Sequence, residues 1–237
     1  MAKTQNIFFG FMLLVFTNLG CTKTDNKAAA QLLKVLKAED HLNISYGTNS
    51  KNKLDLYLPQ VRNSNTPLIM MLHGGSWVGG DKSMFTDLAK YLRDKGFATA
   101  SINYRLTNTA ESNIHPAQVN DIGKALDFIS SKANEWQISP DHTGLLGASA
   151  GAHLALLYTY AYNDDNKVKT VASMAGPSDF TDINTASSSQ MQVVEWLIGS
   201  TFEADQNAYT QASPITYVSA GSKPTLLFHG KLDNVVP

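Results

Sequence analysis

Cys21 is the only cysteine in the 237 residues, so an intrachain disulfide is excluded. Charge of either sign in excess is equally scarce. The formal net charge is −1 and no block of like charges occurs, so the chain has no long-range field to draw in nucleic acid or an anionic membrane surface. No internal repeat is present, which excludes an array of stacked units. The N-terminal apolar run, Ile7 to Phe16, is too short to span a bilayer comfortably. What is there is an ordinary globular composition, 43% hydrophobic and 16% charged, enough for one sizeable core.

The first twenty residues read as a signal peptide, with Lys3 as the positive n-region and Ile7 to Phe16 as the h-region. The stretch Thr17-Asn18-Leu19-Gly20-Cys21 resembles a bacterial lipobox, although Asn18 replaces the usual aliphatic residue. That resemblance implies lipidation of Cys21, and ordinary signal cleavage is the alternative. The expectation is an exported protein: a cell-envelope lipoprotein, otherwise periplasmic or secreted, touching membrane only through its anchor. Residues 21–40 are expected to form a tether and a short amphipathic helix over 28–39, carrying Leu32, Leu33, Val35 and Leu36.

From residue 41 the chain reads as one α/β domain. Leu42 to Tyr46 and Lys53 to Leu58 alternate as an antiparallel edge pair. Strands are then expected at 68–72, 97–102, 143–146, 168–174 and 225–228. Helices are expected at 85–95, 116–132, 153–160 and 190–197. Val119, Ile122, Ala125, Leu126 and Ile129 recur at helical spacing and read as core. Repeated β-α units imply a mostly parallel sheet covered by helices on both faces. Ligands in such sheets bind at the carboxyl ends of the strands.

Gly147-Ala148-Ser149-Ala150-Gly151 reads G-x-S-x-G between an apolar strand and a helix start. This is the pattern of a nucleophile elbow, in which a strained turn lifts the serine hydroxyl out of the sheet. The bland reading is a small-residue turn that lets a helix pack closely. His73-Gly74-Gly75-Ser76-Trp77 follows the strand ending at Leu72. A Gly-Gly turn lets backbone N–H groups approach a developing oxyanion, and the expected donors are Gly75, Ser76 and Ala150. His73 is expected to structure this loop with Gly74. Trp77 is read either as a pocket wall or as packing. In the run from His229 to Pro237, Asp233 stands where the acid of a Ser…Asp…His order belongs, with Asp179 as a weaker rival. None of the histidines at 41, 73, 115, 142, 153 and 229 follows Asp233. His153 is expected to point along its own helix and His229 to be a packing residue. No base is therefore assigned.

Together, His73-Gly-Gly-Ser-Trp, Gly147-Ala-Ser-Ala-Gly-Ala-His-Leu-Ala and His229-Gly-Lys-Leu-Asp-Asn-Val-Val-Pro resemble the α/β-hydrolase superfamily. More narrowly they resemble bacterial esterases related to hormone-sensitive lipase and to feruloyl and acetyl-xylan esterases. Tyr104-Arg105-Leu106, His115-Pro116-Ala117 and Asp121-Ile122 are similar to the same group. The resemblance implies hydrolysis of short-chain carboxylic esters through an acyl-enzyme, with no metal and no organic cofactor. It also implies that the final strand, histidine loop and closing helix lie outside these residues. The domain over 41–237 is accordingly expected to be C-terminally truncated, with the strand at 225–228 an exposed apolar edge. The expected substrate is a small acetyl or feruloyl ester, with acylated polysaccharide as one candidate. Two other readings stay open: an arylformamidase-like amidohydrolase, and a non-catalytic hydrolase-like binding protein without a base. Residues 178–213 are expected to form a small cap that sets specificity.

Overall fold

The computed structural model describes residues 34–108, 110, 113–183 and 187–236. The expected signal peptide and Cys21 lie outside the described residues. The short strand β1 (Lys34–Val35) pairs with β4 (Val61–Arg62). The main sheet has seven strands: β2 (Glu39–Ser45), β3 (Lys53–Leu58), β5 (Leu68–Leu72), β6 (Ala98–Ile102), β7 (Thr143–Ala148), β8 (Val168–Met174) and β9 (Thr225–Phe228). Their order across the sheet is β2-β3-β6-β5-β7-β8-β9. β2 and β3 form an antiparallel pair at one edge, and β3 meets β6 antiparallel. From β6 through β5, β7, β8 and β9 every pairing is parallel.

The period-2 pattern of β5 explains the layering. Leu68, Met70 and Leu72 point into the larger core, while Met71 points into a smaller one with Tyr57, Phe85 and Ala89. The smaller core is covered by α1 (Thr86–Asp94). The larger core is covered by α2 (Ala117–Ser131), α3 (Ala133–Trp136) and α4 (Ala150–Leu157). All five residues expected as the core stripe of α2 are buried. Two further helices, α5 (Ser188–Ile198) and α6 (Gln206–Ala212), lie between β8 and β9. α5 begins two residues before its expected start because Ser187 and Gln190 form a reciprocal capping box.

The expected helix over 28–39 is absent from its described part. Lys34–Val35 is strand and β2 begins at Glu39. The reason is the buried Arg62. Its guanidinium donates to the carbonyls of Lys37, Pro59 and Trp136 and to the Glu39 carboxylate. These long-range bonds hold the segment extended, and Val35 stays 74% exposed rather than joining a core face. β9 is the edge strand of the described sheet, with Leu226, Leu227 and Phe228 all more than half exposed.

Candidate active site

Ser149 sits between β7 and α4 at φ 51°, ψ −121°, a backbone region that L-residues rarely occupy. Its N–H donates to Met174 O at 2.8 Å, and its own carbonyl accepts from His153 N at 3.0 Å. The turn is thus tied to β8 on one side and to the first helical turn on the other. α4 starts at Ala150, three residues before its expected start at His153. The flanking glycines make this possible. A Cβ on Gly147 would come within 2.3 Å of Gly151 O, and one on Gly151 within 2.1 Å of Leu72 O.

The loop after β5 comes up against this turn. A Cβ on Gly74 would meet the Ser149 Cβ at 3.3 Å and Ala148 O at 3.1 Å. Ser76 and Trp77 both have positive φ, 51° and 62°. The Gly75 carbonyl accepts from Val78 N and Gly79 N, which closes the loop on itself. Among the described residues, no acceptor is bonded to the amides of Gly75, Ser76 or Ala150. Three donors therefore remain unspent around Ser149, two of them on residues that share a cavity wall with it. Ser76, Ser149 and Ala150 line a cavity of about 680 Å³.

His73 directly follows β5. Its ring is fully buried, stacks on Tyr104 at 4.4 Å and donates through Nδ1 to Gly74 O at 2.7 Å. Burial, chiefly, holds its pKa below the ordinary imidazole value. Trp77 takes both roles offered to it: it is 4% exposed and also lines the cavity. Arg105, after β6, makes a two-pronged ion pair with the fully buried Asp121 of α2 at 2.8 and 2.9 Å. Burial would raise the Asp121 pKa, but the Arg105 hydrogen bonds outweigh it and hold the carboxyl below its usual range.

Two expectations about histidines need correction. His153 does not point along its helix. It accepts from Trp77 Nε1 through Nδ1 at 3.2 Å and donates through Nε2 to Ala212 O at 2.8 Å. His229 is not a packed core residue. Its side chain is 39% exposed, lines the cavity, and donates through Nε2 to Val236 O at 2.7 Å. The contacts of His153 span 76 and 59 positions along the chain, which no local pattern announces.

Asp233 is not itself a cavity-lining residue, although Val235 and Val236 of its loop are. Its Oδ1 accepts from the amides of Val235 and Val236 at 2.9 Å each, and Oδ2 stands 3.8 Å from His229 Nε2. The amides of Val236 and Val235 hold its carboxyl below the ordinary carboxylate value. The rival Asp179 lines the cavity, but its Oδ1 is occupied by the backbone and hydroxyl of Thr181. Among the described residues, no histidine nitrogen is hydrogen-bonded to Ser149. No described cluster of three His, Cys, Asp or Glu is arranged to hold a metal ion. No helix of the described residues is long and apolar enough to cross a membrane.

The segment between β8 and β9 walls the cavity with Phe180, Met191, Val194 and Ile215. Two large aromatics of this segment stay out of the wall: Trp196 is 44% exposed and Phe202 packs on Tyr209 at 5.2 Å.

The chain is similar to several known proteins. The probable carboxylic ester hydrolase LipM of Mycobacterium tuberculosis is 29% identical over 82% of this chain and 48% of its own length. Esterase LipQ of the same organism is 27% identical over 82% of this chain and 49% of its own. The chain thus spans about half the length of these curated relatives. Among solved structures, a bifunctional GH43-CE protein of Bacteroides eggerthii matches with a TM-score of 0.75 and 26% identity, over 84% of this chain and 29% of that one. A truncated carbohydrate esterase from gut microbiota matches with a TM-score of 0.73 and 24% identity, over 87% of this chain and 82% of that one. The fold is that of the α/β-hydrolases. The BD-FAE family model matches residues 54–237, from β3 through the loop of Asp233, and the chain belongs to the BD-FAE family.

Proposed function

We propose that the protein hydrolyses carboxylic esters through an acyl-enzyme on Ser149. One observation carries this reading. A serine held at φ 51° faces a cavity of about 680 Å³, and the amides of Gly75, Ser76 and Ala150 beside it have no described acceptor. That is the donor set a tetrahedral oxyanion needs. In the reaction Ser149 Oγ bonds to the ester carbonyl carbon, its proton passes to a base, and the carbonyl oxygen becomes an oxyanion between the three amides. Collapse expels the alcohol, which takes the proton back. Water then repeats the sequence on the acyl-enzyme and releases the acid. Asp233 has the role of orienting a histidine base and stabilising its imidazolium. The base is assigned to none of the described histidines, since no ring nitrogen among them is hydrogen-bonded to Ser149.

The substrate we favour is a short acetyl or feruloyl ester, carried on a carbohydrate. Support comes from the likeness to a carbohydrate esterase and from a cavity wall that mixes apolar side chains with Ser178, Ser189 and Gln190. We further infer that the protein is exported and lipidated at Cys21.

The test is covalent labelling of the full-length protein by a fluorophosphonate, followed by peptide mapping. The expected result is one adduct, on Ser149, lost in Ser149→Ala. An unlabelled wild-type protein would sink the esterase reading and favour a binding protein of the same fold. Steady-state rates on acetyl, feruloyl and N-formyl substrates then separate the esterase from an amidohydrolase.

A further inference from the structure

His153 meets three separate parts of the site. Its backbone N–H closes the first helical turn onto Ser149 O at 3.0 Å. Its Nδ1 accepts the indole N–H of Trp77, the residue that ends the oxyanion turn, at 3.2 Å. Its Nε2 donates to Ala212 O at 2.8 Å, at the end of α6 and two residues before Pro214 of the cavity wall. The ring is fully buried, edge-on to Trp77 at 5.3 Å and tilted over Phe180 at 4.7 Å. Trp77 and Phe180 themselves meet edge to face at 5.7 Å, which completes a three-ring cluster.

We propose that His153 is a positioning residue: its ring fixes the Ser76–Trp77 turn, and with it the amides of Gly75 and Ser76, relative to the Ser149 hydroxyl. The inference rests on the serine-hydrolase reading above. The need for such a fixture is visible in the backbone. Ser76 and Trp77 are consecutive L-residues at positive φ, a conformation that persists only where the surroundings over-determine it. Beyond the bonds from Val78 N and Gly79 N to Gly75 O inside the loop, Trp77 is held from outside by the bond from Thr107 N to its carbonyl at 2.7 Å and by its indole on His153. A neutral imidazole suits the position because it offers an acceptor on one side and a donor on the other. Burial, chiefly, depresses its pKa to about 3, so this pattern of one acceptor and one donor holds at neutral pH. With both nitrogens engaged and no exposed surface, His153 does not act as the proton-accepting base.

The geometry demands accuracy, because an oxyanion donor acts only within hydrogen-bond reach of the developing charge. Loss of the His153 ring frees the turn and leaves the buried indole N–H without its acceptor.

The experiment compares the full chain carrying wild-type His153, His153→Phe and His153→Gln. The readout is the second-order rate of fluorophosphonate labelling at Ser149, with thermal melts as the check on folding. The phenylalanine keeps the bulk and removes both hydrogen bonds; the glutamine amide restores an acceptor and a donor. We expect His153→Phe to label about 100-fold slower, the size of losing one oxyanion donor. We expect His153→Gln to recover to within about fivefold, a partial rescue that a bulk-packing role would not produce. Should His153→Phe fail to fold, Trp77→Phe removes the same bond from the other side and is expected to slow labelling about tenfold. Wild-type rates in the folded phenylalanine variant, or in Trp77→Phe, overturn the inference, as does a glutamine variant as slow as phenylalanine. An unlabelled wild-type chain instead overturns the serine-hydrolase reading, and this inference falls with it.

Discussion

Gly151 and Leu72 meet backbone to backbone. A Cβ built on Gly151 would lie 2.1 Å from Leu72 O and 2.4 Å from His73 O, so α4 rests directly on the end of β5 where the Gly74-Gly75 loop departs. No side-chain rotation relieves that overlap, since the obstacle is main chain. Gly151→Ala is expected to cost more than about 3 kcal/mol, at the upper end of overpacking, and to yield insoluble protein. Gly74→Ala faces milder contacts of 3.1 and 3.3 Å. It is expected to fold and to label at Ser149 more slowly. Soluble expression with thermal melts checks the first, and labelling rates the second. A Gly151→Ala protein with wild-type stability would contradict the contact.

The strained Ser149 backbone makes a contrast between two substitutions. At φ 51°, ψ −121°, an L-residue costs of order 1–3 kcal/mol, and glycine does not. Ser149→Gly is expected to raise the unfolding free energy by about 1 kcal/mol, after the extra freedom of glycine in the unfolded chain is subtracted. Ser149→Ala gains nothing of the kind. Both abolish labelling. Urea unfolding of the three proteins decides it, and equal midpoints for glycine and alanine would rule out the strain.

Asp121 is fully buried against Arg105, and Arg105 leads into Thr107, whose N–H holds Trp77 O. Asp121→Ala leaves the guanidinium without its partner and is expected to destabilise by about 3 kcal/mol or more. Asp121→Asn keeps part of the hydrogen bonding and is expected to cost less. The midpoint of denaturant unfolding measures both, and the order alanine worse than asparagine is the critical outcome.

Stability is expected to fall with acid through the buried histidines. Burial depresses the pKa of His115 to about 4 and that of His153 to about 3, against an unfolded value of about 6.5. Below pH 6.5 the unfolded chain takes up protons that the folded chain refuses. The contribution is therefore complete above about pH 6.5 and is lost as pH falls toward 4, by about 1.4 kcal/mol per pH unit for each group. Melting temperatures between pH 7.5 and 4.5 should drop steeply, and His153→Gln should flatten the slope. An unchanged slope in that variant would show that His153 titrates normally.

Much of this architecture is readable in the residues. β3, β5, β8 and β9 run over the residues expected, because each is an apolar or cleanly alternating run bounded by turn residues. The elbow was legible for a related reason: Gly147 and Gly151 are required by local crowding, and local crowding shows in sequence. The N-terminal segment was not legible. Its leucines and valine keep helical spacing, yet Arg62 captures the backbone at Lys37 and the Glu39 carboxylate from more than twenty positions away. His153 was misread for the same reason. A helix pattern says which face a side chain leaves from and nothing about the indole and carbonyl waiting opposite.

Ser213 links the two ends of the cavity wall. Its hydroxyl accepts from Phe180 N and donates to Tyr209 O, each at 2.8 Å, and Ile215 N is bonded to Ser178 O at 3.0 Å. The wall is thereby a hoop clasped at its base, where Ser178 and Phe180 meet Ser213 and Ile215. A hoop of this kind is open to evolutionary tinkering. Its middle can be lengthened or rewritten while the clasp keeps the cut ends in register, so substrate preference can drift without disturbing the strands that hold Ser149.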